Sequence, residues 1–291
     1  MNIQKSFSGD SSMGKLYLVG TPIGNLEDMT MRAIRTLKEA DLIAAEDTRQ
    51  TRKLLTHFEI STRLVSYHEH NRNASGPELI RLMQDGKSIA LVSDAGLPAI
   101  SDPGAELVSE AVAADISVIP IPGANAALSA LIMSGLPTER FLFTGFPPRE
   151  KKQLGKWLQG LTAHEATLIL YESPHRLQRT LEAMREHMGN RSVALVRELT
   201  KRHEEALRGN LDECIAWLSE HSPLGEYCII VEGLSKEEAA SQANEQLWWS
   251  ELTIQEHVAH YEAAYNRKEA IKKAAVDRGI PKREVYNEVN T

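Results

Sequence analysis

The sequence predicts an α/β fold with mainly parallel sheets, and two features of it carry that reading. Apolar runs alternate with helical patterns over most of the chain. The runs are also hydrophobic almost without interruption, as strands buried on both faces must be. The runs are LYLV (16–19), LIAA (42–45), IALVS (89–93), SVIPI (117–121), ATLILY (166–171), VALVREL (193–199) and YCIIVE (227–232). A strand, helix, strand rhythm of this kind builds parallel sheets covered by helices.

The first helical pattern, LEDMTMRAIRTLKEA (26–40), sets Leu26, Met29, Ala33, Leu37 and Ala40 on one stripe, with Asn25 as its cap and Asp28 completing a weak capping box. The rhythm breaks in the Gly- and Pro-rich GLPTERFLFTGFPPRE (135–150), which marks a domain junction there or slightly before. After Gly233 no strand pattern follows. The expected organisation is therefore a polar, disordered lead-in at 1–14, an N-terminal α/β domain at 15–134, a C-terminal α/β domain at 135–235, and a helical tail at 236–291. In the tail, the adjacent Trp248 and Trp249 read either as aromatics packed onto the body or as platforms for stacked bases.

Composition narrows the function classes. The chain has 291 residues, 42% hydrophobic and 25% charged, with a net charge of −7. That acidity argues against broad coating of nucleic acid, but a local basic patch remains possible. Residues 266–284 carry such a patch, seven Lys and Arg against three Asp and Glu. No apolar run approaches the roughly 18 residues of a membrane helix, and no leader pattern precedes residue 20. Cys214 and Cys228 form no paired spacing and read as small buried hydrophobes, so a reducing, cytoplasmic setting with no membrane association is expected.

Four polar loops leave the carboxyl ends of predicted strands, where open α/β sheets bind ligands. LVGTPIGN (18–25) invites comparison with a phosphate loop. Its glycines, Gly20 and Gly24, are wrongly spaced for the dinucleotide fingerprint, although Glu46 and Asp47 lie at the end of the next strand, and no Gly-Lys-Ser/Thr follows. VSDAGLPAISDPG (92–104) places two Asp-x-Gly turns in a short span, with Asp102 as N-cap and Pro103 as first residue of the helix after it. IPIPGANAALSALIMSG (119–135) enters a small-residue helix, and YESPHR (171–176) presents Tyr171 before a helix opened by Pro174. No loop repeats glycines ahead of a lysine. The ligand expected is one with a nucleoside but no essential polyphosphate.

GTPIGN, AEDTR (45–49), SDAGLPAISDPG, PGANAALSAL and YESPHR, in this order, resemble the tetrapyrrole-methylase superfamily, and within it the branch that methylates small-subunit ribosomal RNA. The similarity runs from about residue 15 to the C-terminus. Corrin-making relatives read GxGPG and GDP at the first two loops, and this sequence departs from both. The resemblance implies two α/β domains with S-adenosyl-L-methionine in the cleft between them, and a homodimer. It also implies methylation of a cytidine ribose 2′-hydroxyl in the decoding region of 16S rRNA, within the small ribosomal subunit. Carried onto this chain, the cofactor site comprises Pro22 and Gly24, then Asp94, Ala95 and Leu97, then Ala124, Asn125 and Ala126, and Tyr171. The basic tail resembles a small helix-turn-helix unit.

A ribose hydroxyl is a poor nucleophile and gains from a base beside it. In AEDTRQTRK, Glu46 or Asp47 can accept its proton, while Arg49, Arg52 or Lys53 hold a phosphate; Asp47 equally suits the cap of the following helix. His68 and His70 read as a solvated or RNA-facing loop rather than a metal pair, because no third ligand stands at useful spacing. Arg197, Glu198 and Lys201, at another strand end, form either a substrate wall or a surface ion-pair cluster. Lys272, Lys273, Lys282 and Arg283 read either as phosphate contacts or as the wet face of a helix. Two other functions compete: a tetrapyrrole C-methyltransferase, and a non-catalytic, ribosome-associated nucleotide-binding module.

Overall fold

The computed structural model describes residues 3–4, 13–235, 249 and 251–290. Most of the lead-in at 1–14 lies outside the described residues, as does Trp248. Residues 1–162 and 166–233 form one compact unit that holds both sheets; residues 163–165 and 234–291 form another.

The first sheet comprises β1 (Lys15–Val19), β2 (Leu42–Ala45), β3 (Leu64–Ser66), β4 (Ile89–Val92) and β5 (Ser117–Ile121), in the order β3-β2-β4-β1-β5 and parallel throughout. β2 and β4 are buried along their whole length, so their uniform apolarity follows from helices on both faces. α1 (Met31–Glu39) and α2 (Thr48–His57) follow β1 and β2, and α3 (Arg72–Gln84) and α4 (Ala105–Ala113) follow β3 and β4. Leu37, Ile43, Val92 and Ile121 belong to one core cluster, and Leu16, Met83, Leu91 and Leu107 to another, both built on this sheet. Each such side chain contributes about 1.5–3 kcal/mol by leaving water. Pro120 sits in β5, an edge strand, where its missing N–H breaks no ladder. The Gln4 side chain bonds both backbone groups of Val118 on that strand, at 2.8 and 2.9 Å.

The second sheet comprises β6 (Phe141–Gly145), β7 (Thr167–Glu172), β8 (Ser192–Arg197), β9 (Glu205–Asn210) and β10 (Tyr227–Val231), in the order β6-β7-β10-β8-β9. Only β6 and β7 are parallel; β10 runs antiparallel between β7 and β8, and β9 antiparallel to β8. The mainly parallel character thus belongs to the first sheet. Uniform apolarity reports burial on two faces and is blind to strand direction, which is why YCIIV gave no warning. α5 (Ala126–Ser134) crosses from the first sheet and packs Ala127, Ala130 and Leu131 against Ile169, Val196 and Ile230 of the second. On the same sheet, Leu154, Leu158, Leu177, Leu181 and Leu211 of α6 (Lys151–Gln159), α7 (Pro174–Met188) and α8 (Leu211–Glu220) share a core cluster with Leu168, Leu195 and Ile229.

Two expected features change, and three strands are added. The helix drawn over 26–40 divides into a 3-10 turn at Leu26–Asp28, capped by Asn25, and α1, capped by Thr30. The Thr30 hydroxyl captures the Ala33 N–H at 3.1 Å and starts a new helix, leaving Leu26 outside the buried stripe. Asp102 does not cap α4, whose N-cap is Gly104 with no side-chain bond. Strands β3, β6 and β9, absent from the expected list, are all sheet edges, half-exposed and therefore without continuous apolarity.

The second unit packs α9 (Ile254–Glu262), α10 (Arg267–Arg278) and α11 (Lys282–Val289) around Val258, Ile271, Ala274 and Val285. Gly279, in the left-handed conformation, ends α10, and Pro281 follows as the N-cap of α11, giving a short turn between two helices. His257, fully buried, receives a 3.0 Å bond at Nδ1 from Arg278, so its Nε2 carries the proton and donates to Asp277 at 3.1 Å. Burial, with Arg278 beside it, holds its pKa below the usual value and keeps the ring neutral. Trp249 stacks on that ring at 5.4 Å and takes Arg278 over its face.

Candidate active site

The loops after β1 and β4 are sewn together. Thr21 and Gly96 exchange backbone hydrogen bonds of 2.8 and 3.1 Å, and the Thr21 hydroxyl lies 3.3 Å from the Ser93 carbonyl. The loop after β5 closes on the same place. A Cβ on Gly20 would meet Gly123 at 2.9 Å, so both positions require glycine for backbone to lie on backbone. GTPIGN is therefore a structural wall on which three strand ends meet, its Gly20 and Thr21 N–H groups already donated to the Ile121 and Gly96 carbonyls.

Against this wall lies a cavity of about 340 Å³. The first sheet contributes Ile23 after β1, Glu46 after β2, Asp94–Leu97 and Ile100–Asp102 after β4, and Asn125 and Ala126 at the start of α5. Phe146 after β6, Tyr171 and Glu172 of β7, and Val196 and Glu198 at the end of β8 come from the second sheet. So do Glu226, Tyr227 and Cys228 at the start of β10. Because β10 is antiparallel, Tyr227 pairs with both Glu172 and Arg197, which brings its amino end to the carboxyl ends of β7 and β8. Of the six described non-glycine residues with positive φ, four lie in these loops: Ala99 and Ser101 (φ 68° and 62°), Glu198 and Thr200 (φ 51° and 66°). Strain of this kind persists where the surroundings over-determine the backbone, as they do at binding sites.

Tyr171 joins the two sheets. Its hydroxyl accepts the Ala127 N–H at 3.1 Å, and Phe143 and Phe146 pack on its ring at 5.1 and 5.5 Å. Burial pushes its pKa to about 12, so it stays protonated. The adjacent Glu172 is fully buried and accepts from the Ser173 N–H at 2.8 Å, Thr180 Oγ1 at 2.7 Å and Arg176 at 3.1 Å. This carboxylate fixes the turn that carries Tyr171.

The electrostatics of the cavity are acidic. Glu46, Asp94, Asp102 and Glu226 form no ion pair among the described residues; Glu198 is paired with Lys201 at 3.0 Å. Burial, reinforced by Asp102 and Asp94, raises the pKa of Glu46. Burial likewise raises Asp102, against the opposing bond from Ser93 and in step with Asp94 and Glu226. Asp47 behaves in the opposite way. It caps α2 by accepting the Arg49 N–H at 2.8 Å, pairs with the Arg49 guanidinium at 2.7 Å, and is held down to about 2.

The expected cofactor residues Asp94, Ala95, Leu97, Asn125, Ala126 and Tyr171 line one cavity, together with Glu46. Pro22, Gly24 and Ala124 flank lining residues but do not line it. Gly24 has a different task, since a Cβ there would meet Lys201 Cγ at 2.5 Å. Arg49, Arg52 and Lys53 share a separate face on α2. Arg197 pairs with Glu205 and donates to the Leu224 carbonyl, while Lys201 lines the cavity. The rings of His68 and His70 lie 6.0 Å apart, edge to face, and His68 Nδ1 is buried without a partner. Among the described residues no three His, Cys, Asp or Glu side chains gather as a metal site. Lys272, Lys282 and Arg283 are exposed on the tail unit, and Lys273 lies 4.5 Å over the Tyr265 ring. Sequence reasoning missed Asp102 as a cavity residue, as well as Phe146 and Glu226, whereas Glu198, read with Arg197 and Lys201 as a candidate substrate wall, lines the cavity. The rule that ligands gather at strand carboxyl ends accounts for Glu198 after β8; it cannot find Glu226, which precedes an antiparallel strand. Cys214 and Cys228 are buried, with thiols pushed up to about 11 and about 12, and Cys228 closes the floor of the cavity.

A fold of two sheets with this cavity defines a class. Residues 15–215 match the model of the tetrapyrrole (corrin/porphyrin) methylases, and the chain belongs to that family. Its relatives are more particular. A ribosomal RNA small subunit methyltransferase I of Halalkalibacterium halodurans is 58% identical over 99% of this chain and 98% of its own. The protein of the same name in Bacillus subtilis is 56% identical over 98% and 97%. Among solved structures, a diphthine synthase matches with a TM-score of 0.58 at 15% identity, over 80% of this chain and 95% of that one. A uroporphyrin-III-C-methyltransferase from Thermus thermophilus matches with 0.53 at 22%, over 80% and 98%. These two establish likeness of fold.

Proposed function

We propose that the protein is an S-adenosyl-L-methionine-dependent methyltransferase of small-subunit ribosomal RNA, and that it methylates a cytidine ribose 2′-hydroxyl in the decoding region of 16S rRNA. The observation that carries this reading is the acidic, two-sided cavity, in a chain more than half identical along its length to proteins named as ribosomal RNA small subunit methyltransferases.

The cavity suits the cofactor by chemistry. A volume of about 340 Å³ lies in the range of small-molecule sites. Carboxylates free of ion pairs favour a cation, and Ile23, Leu97, Ile100 and Phe146 offer apolar surface to an adenosine. Asp94 to Leu97, Asn125, Ala126 and Tyr171 would hold the cofactor, with Pro22, Gly24 and Ala124 behind them. Bound S-adenosyl-L-methionine supplies an electrophilic methyl group on a sulfonium. The chain's own part is to place the acceptor and take its proton. Glu46, at the mouth of β2 with a raised pKa, is the proton acceptor for the ribose hydroxyl. Asp47, committed to its helix cap and to Arg49, is a poor base. Arg49 and its neighbours on α2 face the RNA, as do His68, Arg197, Lys201 and the basic residues of the tail.

The same reading assigns the two sheets to two domains, 15–134 and 135–235, followed by the tail. It also takes the working form to be a homodimer in the cytoplasm. No helix among the described residues is long and apolar enough to cross a membrane. The test is transfer of tritium from labelled S-adenosyl-L-methionine to small ribosomal subunits, naked 16S rRNA and uroporphyrinogen, each alone. Label at a ribose 2′-O in the subunits is the expected result, and label in the porphyrinogen would overturn the proposal.

A further inference from the structure

The acidic cavity raises a problem for an RNA substrate. Glu46, Asp94, Asp102 and Glu226 repel phosphate, so a nucleotide cannot carry its backbone into the site. Only the ribose and base can enter, and the phosphodiester chain has to run outside on a cationic surface.

We propose that α2 is that surface: a track for single-stranded RNA on which Arg52 and Lys53 hold the phosphates that flank a nucleotide splayed into the cavity beside Glu46. The inference rests on the proposed function and deepens it. Three observations carry it. First, Thr48, Arg49, Arg52, Lys53 and Thr56 line one shallow surface depression, a face of two arginines, a lysine and two hydroxyls with no carboxylate among them. Second, this face is anchored to the rim of the cavity. The backbone N–H of Asp47, the cap of α2, donates to Asp94 Oδ1 at 3.0 Å, and the Arg49 guanidinium feels the Asp94 charge. Third, the cations are unevenly engaged. Asp47 neutralises Arg49, whereas Lys53 reaches only the Gln50 amide oxygen at 3.1 Å, and the Arg52 guanidinium has no partner among the described residues. From Arg49 to Thr56 the helix rises about 10 Å. That is long enough for consecutive phosphates of one extended strand, and recognition of unstacked single strands is how proteins commonly read RNA bases.

Arg52→Gln with Lys53→Gln tests this. Both side chains are exposed on a helix face, so the thermal midpoint should hold. Binding of a fluorescent single-stranded oligoribonucleotide is measured against salt, and methyl transfer to small subunits is measured in parallel. Each phosphate contact on a single strand contributes about 0.7 to the slope of log K against log salt, so the double variant should lose about 1.4. Its KM for subunits should rise at least about tenfold while its affinity for S-adenosyl-L-methionine stays unchanged. A wild-type slope or an unchanged KM overturns the α2 track and leaves the proposed function standing. Failure of the unaltered protein to methylate subunits overturns both.

Discussion

The backbone N–H of Asp47 donates to the Asp94 carboxylate at 3.0 Å, joining residues 47 apart in sequence. Through that bond the end of β2 and the loop after β4 form one rim. On it stand the residue proposed to take the ribose proton, Glu46, and the loop proposed to hold the cofactor.

Asp94 therefore has two tasks that substitution separates. Asp94→Asn keeps an oxygen to accept the Asp47 N–H but removes the charge. Asp94→Ala removes both. Affinity for S-adenosyl-L-methionine, read by calorimetry, should fall about tenfold in Asp94→Asn and further in Asp94→Ala, with tenfold equal to about 1.4 kcal/mol. Unchanged affinity in both variants would take the second loop out of the cofactor site.

Asp102 places a stability cost in the same cavity. Burial raises its pKa above the ordinary 3.8, so the folded state binds a proton more tightly than the unfolded chain. Stability then falls as pH rises from near 3.8 through the raised value, because ionisation costs more in the fold than in water. Asp102→Asn removes that cost. Its urea midpoint should match wild type at the acid end of this window and exceed it at neutral pH, the gap widening with pH. A gap that is constant or that narrows would show that Asp102 is not held in a desolvated, acidic setting.

Much of this fold was legible, and what was not has a physical cause. The continuous apolarity of LIAA and IALV reports burial between two helical layers, so the central strands stood out. β3, β6 and β9 stand at sheet edges, where one side is wet and the signal fades. Direction is invisible to hydrophobicity, so β10 was found as a strand but not as an antiparallel one, and Glu226 was missed with it. At the site, Glu46, Asp94 and Tyr171 were legible because they close strands of one orientation. Asp102 was read as a helix cap, a role that Asp suits in sequence and that Gly104 takes in the structure. Asp47 was read as either cap or base; its bond to the Arg49 N–H shows the cap directly.

The central claim is that this cavity performs the transfer and that Glu46 accepts the proton. The most direct test is kcat against pH for wild type and Glu46→Gln, with small ribosomal subunits as acceptor. Wild type should lose kcat on the acid side as Glu46 protonates at its raised pKa. Glu46→Gln should lower kcat by about 10²–10⁴ and abolish that acid limb, with KM for subunits and affinity for S-adenosyl-L-methionine nearly unchanged. A variant that keeps wild-type kcat and the same acid limb would contradict the account.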